Sequence, residues 1–528
     1  MIELPKTETK LMVAIHGWSG IVLGLLLYAV VLTGTVAVFA EEIGTWSAGH
    51  RTTQSAFERP FADDLRRLGA QTPKEFHGDI DLFEVGDHDL GVFFHRHELD
   101  AAGTIISRGI FYQLGKDGQV IDRRPGTSDE VFGPRNDNAL RHFLVDTHVQ
   151  LHVPDPWGLL LTGILGLAML VAAISGLLIH RHLFKDIFTL RRKANPVLVQ
   201  RDRHSVAGTW SLPFGFILAF TGSFFSFFGS IGVPIVAMAV FAGDVEQLNE
   251  AVFGNPGTPD PRPLVIGNLD RSAADAINRA GAIPTFATLE NFGRADARLT
   301  TYHPPTEGGL APISLVYDGV SGDFLHTKPL VGARPSAGGT LAAVMSPLHF
   351  GNFAGLLSKA IWFGLGFATC YVTLTGLRLW LARREGSSRA LGWLERSVTI
   401  VGFGLPVALA AAAVAFLITM PLGTATYWTP AGFLIASAVV VLGGALWPSP
   451  AAFRQSLQVA GGLALLTLAP LRLLMDGPGW QTALATGQPV IPALDIAFVL
   501  AGIWMLWWTL QPNRGRRTSS VLSLGAAE

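Results

Sequence analysis

Eight stretches of the chain, at about 13–40, 157–180, 206–240, 353–381, 398–420, 431–447, 455–474 and 492–510, are apolar over most or all of their length. A helix needs roughly 20 such residues to cross a bilayer. This feature constrains the fold most. A segment surrounded by lipid must satisfy every backbone N–H and C=O internally, and a helix does so within one stretch. Composition agrees. Of the 528 residues, 49% are hydrophobic and 15% charged, whereas a soluble domain carries about 25% charge. The net charge of -1 offers no general attraction to nucleic acid. The single cysteine, Cys370, excludes an internal disulfide, a zinc-finger framework and a cysteine-ligated iron–sulfur cluster.

The first stretch follows Lys6 and Lys10, and Val38-Phe39-Ala40 could pass for a cleavage site, but its apolar core is much longer than that of a signal peptide. It is read as an uncleaved helix. Segment 181–203 holds Arg181, Lys185, Arg191, Arg192, Lys193, Arg201 and Arg203, opposed only by Asp186 and Asp202. Arg383, Arg384, Arg389 and Arg396 follow the fourth stretch, and Arg514, Arg516 and Arg517 follow the last. Positive loops stay inside. The expected placement is therefore a bacterial inner (cytoplasmic) membrane with both termini cytoplasmic. Residues 41–150 and 241–348 are then periplasmic.

Those outer segments carry strand patterns at Phe83-Glu84-Val85, Val92-Phe93-Phe94, Ile110-Phe111-Tyr112, Leu299 to Tyr302 and Ile313 to Tyr317. The turn Lys116-Asp117-Gly118 separates two such runs, and Ser272 to Ala280 reads as a helix. Each segment is expected to be a small α+β module, the two being candidate repeats. The whole is a mainly α membrane protein. Helix one lies in 1–40, a module in 41–150, and helices two and three in 151–240 around the basic loop 181–203. A second module lies in 241–348, helix four in 349–385, and a four-helix extension with its tail in 386–528.

The chain has fifteen histidines, and their positions are informative. His16, His180, His182 and His204 sit at expected inner helix ends; His148, His152 and His349 sit at outer ends. Histidine is at home in any membrane interface. Yet ionisable residues near membrane depth are commonly functional. A glycine four residues after His16 and after His204 (Gly20 and Gly208) leaves a flat space on the same helical face. Two neutral imidazoles from facing helices are the usual axial ligands of a b-type haem, and no Cys-x-x-Cys-His is present. A zinc or copper site would call for carboxylates or cysteines in the cluster. A proton relay would call for acids at mid-membrane depth. His95 and His97 alternate on an expected strand and share one face. They read as a solvated edge, with a metal site as the alternative.

The motifs resemble a known family. Ile15-His16-Gly17-Trp18 with Gly20, Gly24, Leu32-Thr33-Gly34 and Phe39 looks like the first helix of the PepSY-associated transmembrane family. His148 to His152, Ser175 to His180 and Phe184 to Phe188 look like its second helix and inner loop. Asp202-Arg203-His204, Leu212-Pro213-Phe214 and Thr221-Gly222 resemble its third helix, and Leu348 to Gly351 with Leu374 to Leu377 its fourth. Ala273 to Ala280, Val316-Tyr317-Asp318 and Ser321-Gly322-Asp323 look like its PepSY module. The resemblance covers about residues 1–385. The chain departs from many relatives in having His-Gly-Trp where they have His-Arg-Trp.

The resemblance implies a four-helix core holding two haem b groups. The inner haem would be held by His16 and His204, with His180 as alternative. The outer would be held by His152 and His349, with His148 as alternative. It also implies electron transfer outward to a periplasmic ferric siderophore or similar chelate, for iron release. With no Gly-x-Gly-x-x-Gly motif on the inner side, electrons would come from a quinol or a separate donor. The alternative functions are a non-enzymatic PepSY protein that inhibits a protease or senses a ligand, and a permease for a metal chelate.

Overall fold

The computed structural model describes residues 5–511, except 50–53, 100–104, 181–187, 190, 192–194, 245–246, 249–250, 253, 256, 307–308, 333 and 385–388. The chain first runs through helices α1 (Lys6–Ala37), α2 (Ala40–Ala48) and α3 (Ala62–Gln71). Strands β1 (Asp79–Val85), β2 (Asp89–Leu99), β3 (Ile105–Leu114) and β4 (Val120–Thr127) follow, then α4 (Ala139–Gln150) and α5 (Trp157–Ile179). The same order then recurs. Helix α6 (Pro196–Phe227) continues through a π-helical turn, Phe228–Gly232, to Phe241. After it come α7 (Leu269–Ala280), β5 (Phe286–Glu290), β6 (Arg298–His303), β7 (Ile313–Asp318), β8 (Phe324–Lys328), α8 (Ala337–Phe350) and α9 (Gly355–Ala382). Four long helices close the chain: α10 (Arg389–Thr419), α11 (Ala425–Leu446), α12 (Pro450–Leu474) and α13 (Val490–Leu510).

Eight of these helices are long and apolar enough to span a membrane, one for each stretch expected from the sequence. The protein is a multi-pass membrane protein. Helices α1 and α6 begin about ten residues or fewer before their apolar stretches. Nothing obliges a helix to end at the membrane surface, so polar first turns such as Gln200 to Ser205 simply extend it.

The eight strands make one antiparallel sheet in the order β4-β3-β2-β1-β5-β6-β7-β8. The two outer segments, expected as separate modules, are thus halves of a single sheet. Their first strands pair, with Asp79 opposite Glu290 and Phe83 opposite Phe286. The reason is physical: β1 and β5 would each be an exposed edge if their meanders stood alone, and an unpaired edge invites aggregation. Strand alternation sends Ile80 and Leu82 to one face, where Val92, Phe94, Leu289, Leu299 and Leu315 join them. Leu65 and Leu68 of α3, and Leu269, Ala273 and Ala276 of α7, complete that core. The order of the strands and the two equivalent helices describe a duplicated unit related by a pseudo-two-fold.

The described residues fall into two compact units. One comprises Met1–Glu41, His50–Pro134 and Leu144–Gly376; the other comprises Glu42–Gly49, Arg135–Phe143 and Leu377–Glu528. In the second, Arg472 of α12 and Asp495 of α13 form an ion pair at 2.6 Å, both side chains 1% exposed. Asp495 also accepts hydrogen bonds from the indoles of Trp46 and Trp480, each at 2.8 Å. Arg472 donates a further bond to Pro478 O at 2.7 Å. Every strong group of this buried cluster is therefore used inside the protein.

Candidate functional site

Four histidines of the first unit meet in two pairs. His16 of α1 faces His204 of α6 with ring centroids 6.0 Å apart and planes at 66°. His148, in the last turn of α4, faces His349, in the last turn of α8, at 6.1 Å and 24°. The partners in each pair occupy equivalent places in the two halves of the duplicated unit. Each pair thus straddles the pseudo-two-fold.

Each imidazole rests in a cradle on a neighbouring helix. His16 Nδ1–H donates to Ala172 O at 2.9 Å, with Ser175 Oγ at 3.2 Å. His204 Nδ1–H donates to Val372 O at 3.0 Å, with Thr375 Oγ1 at 3.4 Å. His148 Nδ1–H donates to Val30 O at 3.0 Å, one turn before Thr33-Gly34. His349 Nδ1–H donates to Thr221 Oγ1 at 2.9 Å, a hydroxyl whose own proton goes to Ile217 O. The ring edge then lies on a glycine. A Cβ on Gly176, Gly376, Gly34 or Gly222 would come within 3.2, 3.0, 2.6 or 3.1 Å of the respective Cε1. All four cradles share a hydroxyl residue followed at once by glycine; three rings bond the carbonyl one turn earlier, and His349 bonds the Thr221 hydroxyl itself. Helix α1 receives the ring of His148 from α4 and gives that of His16 to α5. In the same way α6 receives the ring of His349 from α8 and gives that of His204 to α9.

This geometry has a chemical consequence. A bond donated from Nδ1 puts the lone pair of the neutral ring on Nε2, which is how a ligating histidine is held. Burial, reinforced by the neighbouring His148, pushes His349 down to about 3, and burial lowers His148 as well. Both shifts favour the neutral ring, the form that binds a metal. A metal bonded to one nitrogen of each ring at about 2.1 Å, with each centroid about 1.1 Å behind its nitrogen, would space the centroids by about 6.4 Å. The two observed spacings fit that demand. A protein zinc site uses three or four ligands; each pair here offers two nitrogens. A metal whose remaining positions are filled by a macrocycle matches this donor set, and Gly20 provides room, since a Cβ there would meet nothing within 4 Å.

The inner pairing expected from the sequence, His16 with His204, is brought together. Of the two outer choices it is His148, not His152, that faces His349. Helix α4 ends at Gln150, and Leu151 and His152 turn into the left-handed region at φ 51° and 59°. His152 Nε2 instead shares a hydrogen bond with Thr147 Oγ1 at 3.1 Å. His180 caps α5, and its Nε2 is hydrogen-bonded to the Ser205 hydroxyl rather than placed in a pair. His182 lies outside the described residues. The cradles themselves were not recognised as such from the sequence. Their signal was present in Thr33-Gly34, Ser175-Gly176, Thr221-Gly222 and Thr375-Gly376, and in the eighteen residues that separate His16 from Gly34 and His204 from Gly222.

Paired histidines between membrane helices, beneath a duplicated sheet, define a class of multi-pass membrane protein with two equivalent halves. The family described as PepSY-associated TM region matches residues 13–383, and the chain belongs to it. It is also similar to an uncharacterized protein of Pseudomonas aeruginosa. The two are 26% identical over 390 residues, which cover 69% of this chain and 92% of the relative.

Proposed function

We propose that this protein is a membrane oxidoreductase with two haem b groups, one on His16 and His204 and the other on His148 and His349, and that it reduces a ferric chelate such as a ferric siderophore on the outer side. The observation that carries this reading is the pair of facing imidazoles, found twice, each held through Nδ1 and spaced for coordination to one metal. When bound, each haem supplies reversible one-electron chemistry. The residues around it do the rest. The carbonyls of Ala172, Val372 and Val30 and the hydroxyl of Thr221 fix each ring's tautomer and direction. The cradle glycines let the rings lie close to the helix axes. Eighteen residues of helix between the His16 and Gly34 levels correspond to about 27 Å at 1.5 Å per residue, most of a ~30 Å hydrocarbon core. The two sites therefore serve opposite sides of a membrane.

The arginine-rich segments support a reading with the His16–His204 pair at the cytoplasmic face of a bacterial inner membrane, where a quinol or separate donor would deliver electrons, and with the sheet in the periplasm. A protease inhibitor, sensor or permease would have no use for two such pairs. The test is an absorption spectrum of the purified full chain with and without dithionite, together with a pyridine haemochrome assay. Two haem b per chain are expected. A colourless protein from cells supplied with haem precursor would reject the proposal.

A further inference from the structure

A second group of histidines lies on the sheet, on the face turned away from α3 and α7. Asp79 and Asp81 of β1 and His95 and His97 of β2 project there by strand alternation, and Asp79 is registered opposite His95. One donor atom from each of Asp79, His95 and His97 lies within 4.8 Å of the others. His95 is 4% exposed and is held on both sides. The Phe93 ring stacks on it at 4.8 Å, and its Nε2–H donates to Asp81 Oδ2 at 3.1 Å. That bond leaves the lone pair on Nδ1, and Nδ1 is buried with no hydrogen-bond partner. An orphaned buried nitrogen is costly unless something binds it. His97 repeats the arrangement at the rim. Its Nδ1 is bonded to Ser107 Oγ at 3.1 Å, and its Nε2 lies 3.5 Å from Asp79 Oδ2.

Charge points the same way. Across the β1–β5 seam Asp79 stands directly opposite Glu290, and like charges in that position repel, a repulsion that Lys328 and Arg298 near Glu290 offset in part. Asn255 supports Glu290 with a hydrogen bond of 3.0 Å, and a cation held by Asp79 and the two imidazoles would lower the remaining repulsion. We propose that Asp79, His95 and His97 form a binding site for a divalent first-row transition-metal ion. Two imidazole nitrogens and one carboxylate suit Fe(II), Co(II) or Zn(II), whereas Mg(II) and Ca(II) prefer oxygen ligands. Asp81 is the outer partner that orients His95, a carboxylate–histidine–metal arrangement. The site opens to solvent on the side of His97, 42% exposed, and Asp79, 27% exposed, so the ion can exchange.

If the proposed reduction is correct, Fe(II) released outside is the ion such a site would meet. That extension rests on the preceding proposal; the site itself does not. The experiment uses the full chain in detergent, treated with chelator and titrated with Co(II) alone. One Co(II) per chain should give a visible ligand-field spectrum that excess Mg(II) leaves in place and Zn(II) removes. Asp81→Asn should weaken binding about 10–100-fold, and His97→Ala at least as much, with thermal unfolding unchanged for the rim substitution His97→Ala. A Co(II) spectrum of equal strength in His97→Ala and the parent, displacement by Mg(II), or no Co(II) uptake by the parent would each overturn the site. Haem content is read on the same samples, so a chain without haem that still binds Co(II) would count against the reductase and not against the metal site.

Discussion

The two units of the molecule use glycine in opposite ways. In the first, cradle glycines give room to imidazole edges, as Gly34 does to His148 and Gly376 to His204. In the second, they give room to aliphatic side chains of neighbouring helices. A Cβ on Gly404 would come within 2.2 Å of Val440 Cγ1, and one on Gly444 within 2.2 Å of Ile400 Cγ1. Small residues at such crossings let membrane helices approach closely, where dispersion is the main attraction. Charge divides the units as well. The last histidine in the sequence is His349, and the C-terminal helices instead bury the Arg472–Asp495 pair with its donors and acceptors matched. The first unit thus presents ring nitrogens that a cofactor can complete. The second is closed on itself. Ring-bearing cradles and close aliphatic helix packing thus fall in different four-helix sets of the chain.

The sharpest way to break this comparison is to remove one ring. His148→Ala should abolish the outer haem, keep the inner one, and so lose about half the haem per chain and nearly all reduction of an external chelate. His204→Ala should remove the inner haem instead. His152→Ala should lose neither. A pyridine haemochrome assay with redox difference spectra reads all three variants. Full haem in His148→Ala together with loss in His152→Ala would reverse the outer assignment.

The next effect belongs to the second unit. Asp495→Ala leaves Arg472 as a buried charge without its partner, a change that typically costs about 3–5 kcal/mol. Thermal unfolding followed by tryptophan fluorescence should show a large loss, because Trp46 and Trp480 lose their acceptor too. Haem per folded chain should not change. A haem loss as large as that in His148→Ala would mean that the division between the units is wrong.

The smallest effect compares the two uses of glycine directly. Gly34→Ala places a methyl 2.6 Å from His148 Cε1, so the ring must shift. The outer haem should then show a changed α-band or partial occupancy, with little change in stability. Gly404→Ala places a methyl against Val440, and overpacking of this kind typically costs about 1–3 kcal/mol. Its haem spectrum should match that of the parent. The pair of variants, scored by spectrum and by melting temperature, should give opposite patterns.

What the sequence determined alone is the set of membrane spans and the kinds of element between them. Spanning is a local property, fixed by about 20 consecutive apolar residues and by a helix's ability to satisfy its own backbone. The strands at Phe83, Val92, Ile110, Leu299 and Ile313 were likewise legible from alternation, as was the sorting of histidines to helix ends. Tertiary structure decided which elements meet. Nothing local states that β1 pairs with β5 some two hundred residues later; that follows from covering two edges at once. Nothing local chooses between His148 and His152 either. They lie four residues apart, and the choice depends on α4 ending at Gln150, so that one ring stays on the helix facing Val30 and Gly34 while the other turns away. A hydroxyl-glycine pair likewise says nothing by itself, because it becomes a cradle only when another helix brings an imidazole to it.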